Sequence, residues 1–398
     1  MALQTTLPYF ARPDLLESVT RLLLSGANVT LFAPRRHGKT SFVRHDLLPA
    51  LHEAGWFAAR VDLWRNRENP ELGLVEGLES VAYAAPPRIP LARPLSLASL
   101  RASFKVPGVD IEGNWSPASG PTPHPEASLE NRLANALHLI ADRGTHALIV
   151  LDEFQALAGK GSDNFVAAFR TALQDVEGRL SVFFTGSSRD GLMKLFSRSK
   201  APLFRSAESV TLPNLSDDFV DSRADYLNEI ASIQVDRDAL KLLFPRLCYT
   251  PLFLNEIVRL LLVRGDADVD AAVLEWYRSK YENEYSEWFA SLADVESAII
   301  VWLAMSGQKS VYTEEAREFV REFIEEDTAP STARVQTAIR RLTAHQVLDP
   351  TGVNGSYEIA DQGLQIVISN AINEDLVKRR GGLPVDREDS PQVPPEMP

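Results

Sequence analysis

The stretch Val29-Thr30-Leu31-Phe32-Ala33-Pro34-Arg35-Arg36-His37-Gly38-Lys39-Thr40-Ser41 decides the fold. Its first four residues are a short, apolar, β-prone run, which predicts a buried strand. From Ser41 to Leu51 the pattern predicts a helix. Between them lies a basic turn with one glycine. Strand, glycine-lysine turn and helix, in that order, are the context of a phosphate loop. The glycine lets consecutive N–H groups curl inward onto phosphate oxygens. The helix adds its positive N-terminal end. Lys39 is expected to bridge the outer phosphates, and the Thr40 hydroxyl to ligate Mg²⁺. The full pattern asks for glycine where Ala33 stands. That is a mild departure, because alanine serves there if its φ is negative.

Outward from the loop, the run Ala147-Leu148-Ile149-Val150-Leu151 reads as a strand ending in Asp152-Glu153. In phosphate-loop enzymes the first such acid holds the metal and the second polarises the attacking water. Leu180–Thr185 reads as another strand, running into Gly186-Ser187-Ser188-Arg189. A small hydroxyl there, Ser187, can sense the terminal phosphate. Further strands are expected at Phe57–Leu63 and Glu208–Leu212, with helices at Leu129–Asp142 and Phe165–Val176. This alternation predicts an α/β fold, a mainly parallel sheet covered by helices on both faces. Asp152 and Glu153 then lie at the C-terminal strand ends, the edge where such sheets bind ligands.

The set resembles the AAA-related P-loop ATPases described as archaeal-type or STAND-like, including bacterial AAA-like domain proteins. Phe32 to Ser41 is similar to that family's Gly-Pro-Arg-Arg-x-Gly-Lys-Thr-Ser loop. Phe10-Ala11-Arg12-Pro13 is similar to its leading aromatic-x-Arg segment near the adenine. Leu151-Asp152-Glu153-Phe154 looks like its Walker B strand end, and Phe184 to Ser188 like its sensor strand. Ala201-Pro202-Leu203-Phe204-Arg205 resembles the segment before the fifth strand. The resemblance covers residues 8–260 and is looser beyond. It implies ATP or ADP and Mg²⁺ as ligands. The nucleotide would be held by Arg12, Pro34, Arg35, Arg36, His37, Gly38, Lys39, Thr40 and Ser41, and the metal by Thr40 and Asp152. Glu153, Lys39 and Ser187 would carry catalysis. Arg205 is either a finger acting on a neighbouring subunit's nucleotide, implying a ring or dimer, or a surface arginine; Arg189 is the weaker rival. In the helical lid, where that family has a glycine touching the nucleotide, this chain has Tyr249-Thr250-Pro251.

Four regions are expected. They are a P-loop ATPase core over 1–215, a helical lid over 216–290, a winged helix-turn-helix over 291–378 and a tail over 379–398. Nine of the 25 prolines fall between Pro86 and Pro125, so 86–127 reads as an insertion in the core that cannot be regular helix. In the winged-helix region, helices near 295–305, 313–325 and 332–345 precede a hairpin whose arms are Val347–Asp349 and Ser356–Ile359. The third helix carries Arg334, Arg340 and Arg341 and no acids. It suits either a DNA major groove or a protein contact.

Composition narrows the function. Lys+Arg number 41 against 54 Asp+Glu, a net charge of −13. Such a chain repels phosphate backbones at long range and is a poor general polyanion binder, so any nucleic-acid contact must come from a local basic patch. The single cysteine, Cys248, cannot form an internal disulfide and reads as a buried thiol in a reduced compartment. No secretory signal is visible, and no apolar run approaches the ~20 residues that span a bilayer. The chain reads as a soluble cytoplasmic protein. The leading expectation is an ATP-driven switch with slow hydrolysis that repositions the winged helix. The alternatives are a nucleotide-dependent DNA-binding regulator or defence/transposition adaptor, and a protein-recruiting scaffold.

Overall fold

The computed structural model describes residues 7–66, 68–84, 127–144, 146–159, 161–197, 201–351 and 353–371. Apart from residue 127, the expected insertion lies outside these residues, and so does the expected tail. The chain divides into two compact units, one of residues 8–33 and 37–214, the other of residues 1–7, 34–36 and 215–398.

The first unit is built on five parallel strands, β1 (Val29–Phe32), β2 (Phe57–Asp62), β3 (Ala147–Asp152), β4 (Leu180–Gly186) and β5 (Glu208–Thr211), in the order β2-β3-β4-β1-β5. Period-two alternation sends neighbouring side chains into opposite cores. Ala59, Val61, Ile149, Leu151, Val182 and Phe184 pack on one face. That face is covered by α4 (Pro70–Tyr83), α5 (Leu129–Ala141) and α6 (Asp163–Asp175). Ala58, Leu148, Val150 and Phe183 pack on the other. There they meet α1 (Pro13–Leu24) and a helical run made of α2 (Lys39–Phe42), a π-helical turn (Val43–Leu47) and α3 (Leu48–Glu53). Every residue of β3 and β4 is buried, as a central strand covered twice requires. Among the described residues β5 pairs only with β1, and it is mostly exposed, its polar Glu208, Ser209 and Thr211 marking a sheet edge.

The sequence reading found all five strands. It missed α4, whose cap Asn69 accepts a hydrogen bond from Leu72 N–H, and the short α7 (Arg189–Phe196) after β4. The helix after the phosphate loop starts at Lys39 rather than Ser41.

The second unit is helical from α8 (Asp217–Asp225) through α9 (Arg237–Arg246), α10 (Pro251–Arg264), α11 (Val269–Lys280) and α12 (Ser286–Ser291). Its last part centres on α13 (Asp294–Met305), where Val295 to Leu303 are all buried. Around it lie α14 (Glu314–Phe323), α15 (Thr332–Ala344), the antiparallel pair β6 (Leu348–Pro350) and β7 (Tyr357–Ile359), and α16 (Gln362–Ala371). Ser331 caps α15 by accepting from Arg334 N–H. Cys248 is half-buried rather than buried, at φ +52. Burial nevertheless pushes its thiol up from the ordinary value.

Candidate nucleotide site

The parallel sheet brings the ends of β1, β3 and β4 to one edge, and Gly38, Lys39, Thr40, Asp152, Glu153 and Ser187 lie there. Gly38 caps α2 at φ +92. A Cβ at Gly38 would meet only Arg12 Nη2 at 3.9 Å, so the backbone angle and not crowding demands glycine. Lys39 is buried, and its Nζ donates 2.7 Å to the carbonyl of Ala33, closing the loop on itself. Thr40 Oγ1 donates 3.1 Å to Asp152 Oδ2. Ser41 follows, half-buried, on the first turn.

Asp152 is 1% exposed and fully partnered. Thr185 Oγ1 donates to its Oδ1. Arg60, on β2, donates to Oδ2 through Nε at 3.0 Å and Nη2 at 2.6 Å. Burial alone would raise this carboxyl. The Arg60 charge and the hydrogen bonds from Thr185, Arg60 and Thr40 outweigh it and hold the group below the usual carboxylate range.

Glu153 stands at φ +57, a left-handed angle uncommon for a residue with a side chain. Its Oε2 accepts from Ser187 Oγ at 2.7 Å and from Gln155 Nε2, which also reaches Ser187 Oγ at 3.2 Å. Gly186 and Gly191 make this closeness possible. A Cβ on either would fall 2.5–2.6 Å from the Gln155 side chain.

The remaining expected residues divide. Arg12 is buried, donating from Nη2 to His37 O at 3.0 Å and from Nη1 to Pro213 O at 2.5 Å. Its guanidinium thus fastens the loop to the segment after β5. Burial draws its pKa down. Beside it, Tyr9 stacks on His45 and donates 2.6 Å to Asp46, whose carboxyl burial pushes up. Pro34, Arg35 and Arg36 group with the second unit. Arg35 Nη2 donates 2.8 Å to Gln346. Arg36, at φ +68, donates 2.7 Å to Asp361 and 3.3 Å to Tyr285 OH, and lies over the Phe253 ring. Burial acts to lower the Arg36 pKa, but Asp361, Tyr285 and Glu284 outweigh it and raise it.

Arg205 lies just before β5, with Gly26, Asn28 and Glu208, at the N-terminal strand ends. That is the edge opposite Asp152, so within one chain it does not join the cluster. On α15, Arg334 is bonded to Glu326 at 2.6 Å, and Arg341 faces Glu296 at 3.7 Å. Arg340 donates within its own helix, to Gln336 O and Thr337.

Arg60 and Gln155 are the residues of this cluster that sequence reading left without a role, and Thr185 entered only as part of the sensor segment. Arg60 alone carried a signal. It is an arginine inside a strand that is apolar up to its final Asp62, in a doubly covered sheet, and a cation there needs a carboxylate partner.

No family model matches the sequence, and no curated protein matches it. Among solved structures, a Walker-type ATPase of Pyrococcus abyssi is similar at a TM-score of 0.58 and 17% identity, covering 90% of this chain and 96% of that one. The ORC2 protein of Aeropyrum pernix, in its ADPNP–ADP complexes, is similar at 0.50 and 13%, covering 92% and 96%. Its ADP form gives 0.50 and 12%, with the same coverage. Among the described residues no helix is long and apolar enough to cross a membrane. At these identities the likeness is one of architecture, and the chain has the α/β fold of the P-loop AAA-type ATPases.

Proposed function

We propose that the chain binds ATP with Mg²⁺, hydrolyses it slowly and acts as a nucleotide-dependent switch. The observation that carries the reading is the 3.1 Å hydrogen bond from Thr40 Oγ1 to Asp152 Oδ2 at a closed glycine-lysine loop. It sets a hydroxyl beside a carboxylate. Mg²⁺ takes one or two such hard oxygens together with phosphate oxygens, so these residues fit the ion. When bound, the ion would neutralise developing charge on the phosphoryl oxygens. The similarity to ORC2 structures holding ADPNP and ADP supports an adenine nucleotide as ligand.

The chain's own groups supply the rest. The N-terminus of α2 presents backbone N–H groups to phosphate. Lys39 exchanges the Ala33 carbonyl for the outer phosphates. Glu153, an acceptor aimed by Ser187 and Gln155, orients a water and takes its proton. Arg205, at the far edge, is either a finger for a neighbouring copy's nucleotide or a surface arginine.

Arg36 supports the switch. It is two residues from Gly38, yet its charge rests on Asp361. A loop that rearranges around phosphate would change that contact. We read α13, α14, α15 and the β6–β7 pair as a winged helix moved in this way. The carboxylate partners of Arg334 and Arg341 favour a protein-contacting role for it over DNA.

The test is binding of a fluorescent ATP analogue to wild type and Lys39→Ala. Loss of binding in the variant supports the reading, and equal affinity refutes it.

A further inference from the structure

Arg60 has no part in the scheme above, yet it is among the closest groups to the carboxylate assigned to the metal. Strand register explains how. Asp62 pairs with Asp152 across β2 and β3, and Arg60 pairs with Val150. All four side chains therefore point to one face of the sheet, the face that carries α2 and Thr40. The Arg60 head then has two carboxylates in reach. The same Nη2 lies 2.6 Å from Asp152 Oδ2 and 2.8 Å from Asp62 Oδ2.

The two acceptors differ. Asp152 is almost wholly buried, its side chain 2% exposed, whereas that of Asp62 is 34% exposed. Asp62 keeps its other oxygen on the backbone N–H of Trp64 at 3.0 Å, so it is already oriented. Oδ2 of Asp152 is also the oxygen that accepts from Thr40 Oγ1. A cation bound by Thr40 and Asp152 and the Arg60 guanidinium therefore compete for one oxygen. A buried carboxylate without a counter-charge is costly, so one of the two positive groups has to be there at all times.

We propose that Arg60 is the built-in counter-ion of the metal site: it neutralises Asp152 until Mg²⁺ arrives with nucleotide, and then transfers to Asp62. This rests on the nucleotide reading and deepens it. Arg60 is a positioning residue, acting on the metal through Asp152. Its presence weakens the dependence of nucleotide binding on Mg²⁺, because a positive group stays beside the phosphates when the ion is absent. Asp62 tunes the exchange by giving the guanidinium a second place to rest.

The test measures the dissociation constant of a fluorescent ATP analogue with excess Mg²⁺ and with EDTA, for wild type, Arg60→Gln and Asp62→Asn. The quantity read is the ratio of the EDTA value to the Mg²⁺ value. Arg60→Gln should raise that ratio at least about fivefold over wild type. An unchanged ratio, with both constants shifted alike, makes Arg60 a phosphate ligand or a structural ion pair and overturns the proposal. Asp62→Asn should move the ratio the other way, since Arg60 is then left on Asp152 alone. A rise or no change overturns the exchange. Asp62→Asn alters a partly exposed group and keeps the proposal falsifiable if Arg60→Gln does not fold. Wild type that binds the analogue under neither condition overturns the nucleotide reading and this inference together. Wild type that binds, with ratios unmoved in the variants, overturns this inference alone.

Discussion

Ser187 Oγ donates a 2.7 Å hydrogen bond to Oε2 of Glu153, so the residue after β4 aims the residue after β3. Glu153 is held at φ +57, a conformation that costs roughly 1–2 kcal/mol in a residue with a Cβ. Strain kept at the C-terminal strand ends, the edge where α/β sheets bind ligands, points to function.

Glu153→Gln should keep nucleotide affinity and lower turnover by about 10²-fold or more, the usual contribution of a positioned base. Ser187→Ala should lower it less, because Gln155 still reaches Glu153. Phosphate release in steady state reads both. Turnover within threefold of wild type in Glu153→Gln removes the residue from the chemistry.

Gly186→Ala tests the packing behind that pair. The added Cβ would lie 2.5 Å from Gln155 Oε1 and 2.9 Å from two atoms of Leu192. Overpacking of this kind costs about 1–3 kcal/mol. Urea denaturation should show that loss, with turnover reduced as Gln155 shifts. A variant as stable as wild type would mean that Leu192 and Gln155 yield freely.

How far the sequence spoke depended on the range of the interaction. Ala147 to Asp152 is apolar and bounded, and the strand is legible because each of its residues is buried. Gly38, Lys39 and Thr40 are legible because a phosphate loop is local, with strand, turn and helix contiguous in the chain. Arg60 on Asp152 spans 92 residues and Arg36 on Asp361 spans 325. No local pattern encodes such pairs. Arg36 read as a phosphate ligand because it sits in the loop. In the fold its guanidinium also meets Asp361, Glu284, Tyr285 and the Phe253 ring. Helix α4 was hidden by Gly73 and Gly77, which lower helix propensity, although Gly77 lets the helix pack onto Val61.

Asp152 predicts a pH dependence. Its folded pKa lies below the ordinary value. The unfolded chain therefore binds its proton first as pH falls. Asp152 adds stability above its unfolded pKa, about 3.9, and that stability is lost as pH falls through the lower folded value. The stability difference between wild type and Asp152→Asn should thus be largest near pH 6 and narrow below about pH 4. Denaturant midpoints over that range measure it. A difference independent of pH means that Asp152 contributes through packing alone.

The ion pair of Arg36 and Asp361 tests whether the phosphate loop reports to the C-terminal part of the chain. Both side chains are about a quarter exposed, so as a structural bridge the pair is worth about 1 kcal/mol or less. Asp361→Asn should therefore leave thermal stability nearly unchanged. If the contact carries the switch, the same substitution should change ATP affinity at least threefold, although Asp361 lies far along the chain from Lys39. Arg36→Gln should do likewise, and the double variant should be no further from wild type than either single one, as expected for one shared interaction. Gly363→Ala offers an independent approach, since its Cβ would lie 2.6 Å from Arg36 Nη1 and 2.7 Å from Tyr285 OH and would push the guanidinium off Asp361. Affinities measured with the fluorescent analogue decide between the outcomes. Additive effects of Arg36→Gln and Asp361→Asn, or an Asp361→Asn variant that binds ATP as wild type does, leave the pair a surface ion bridge with no part in signalling.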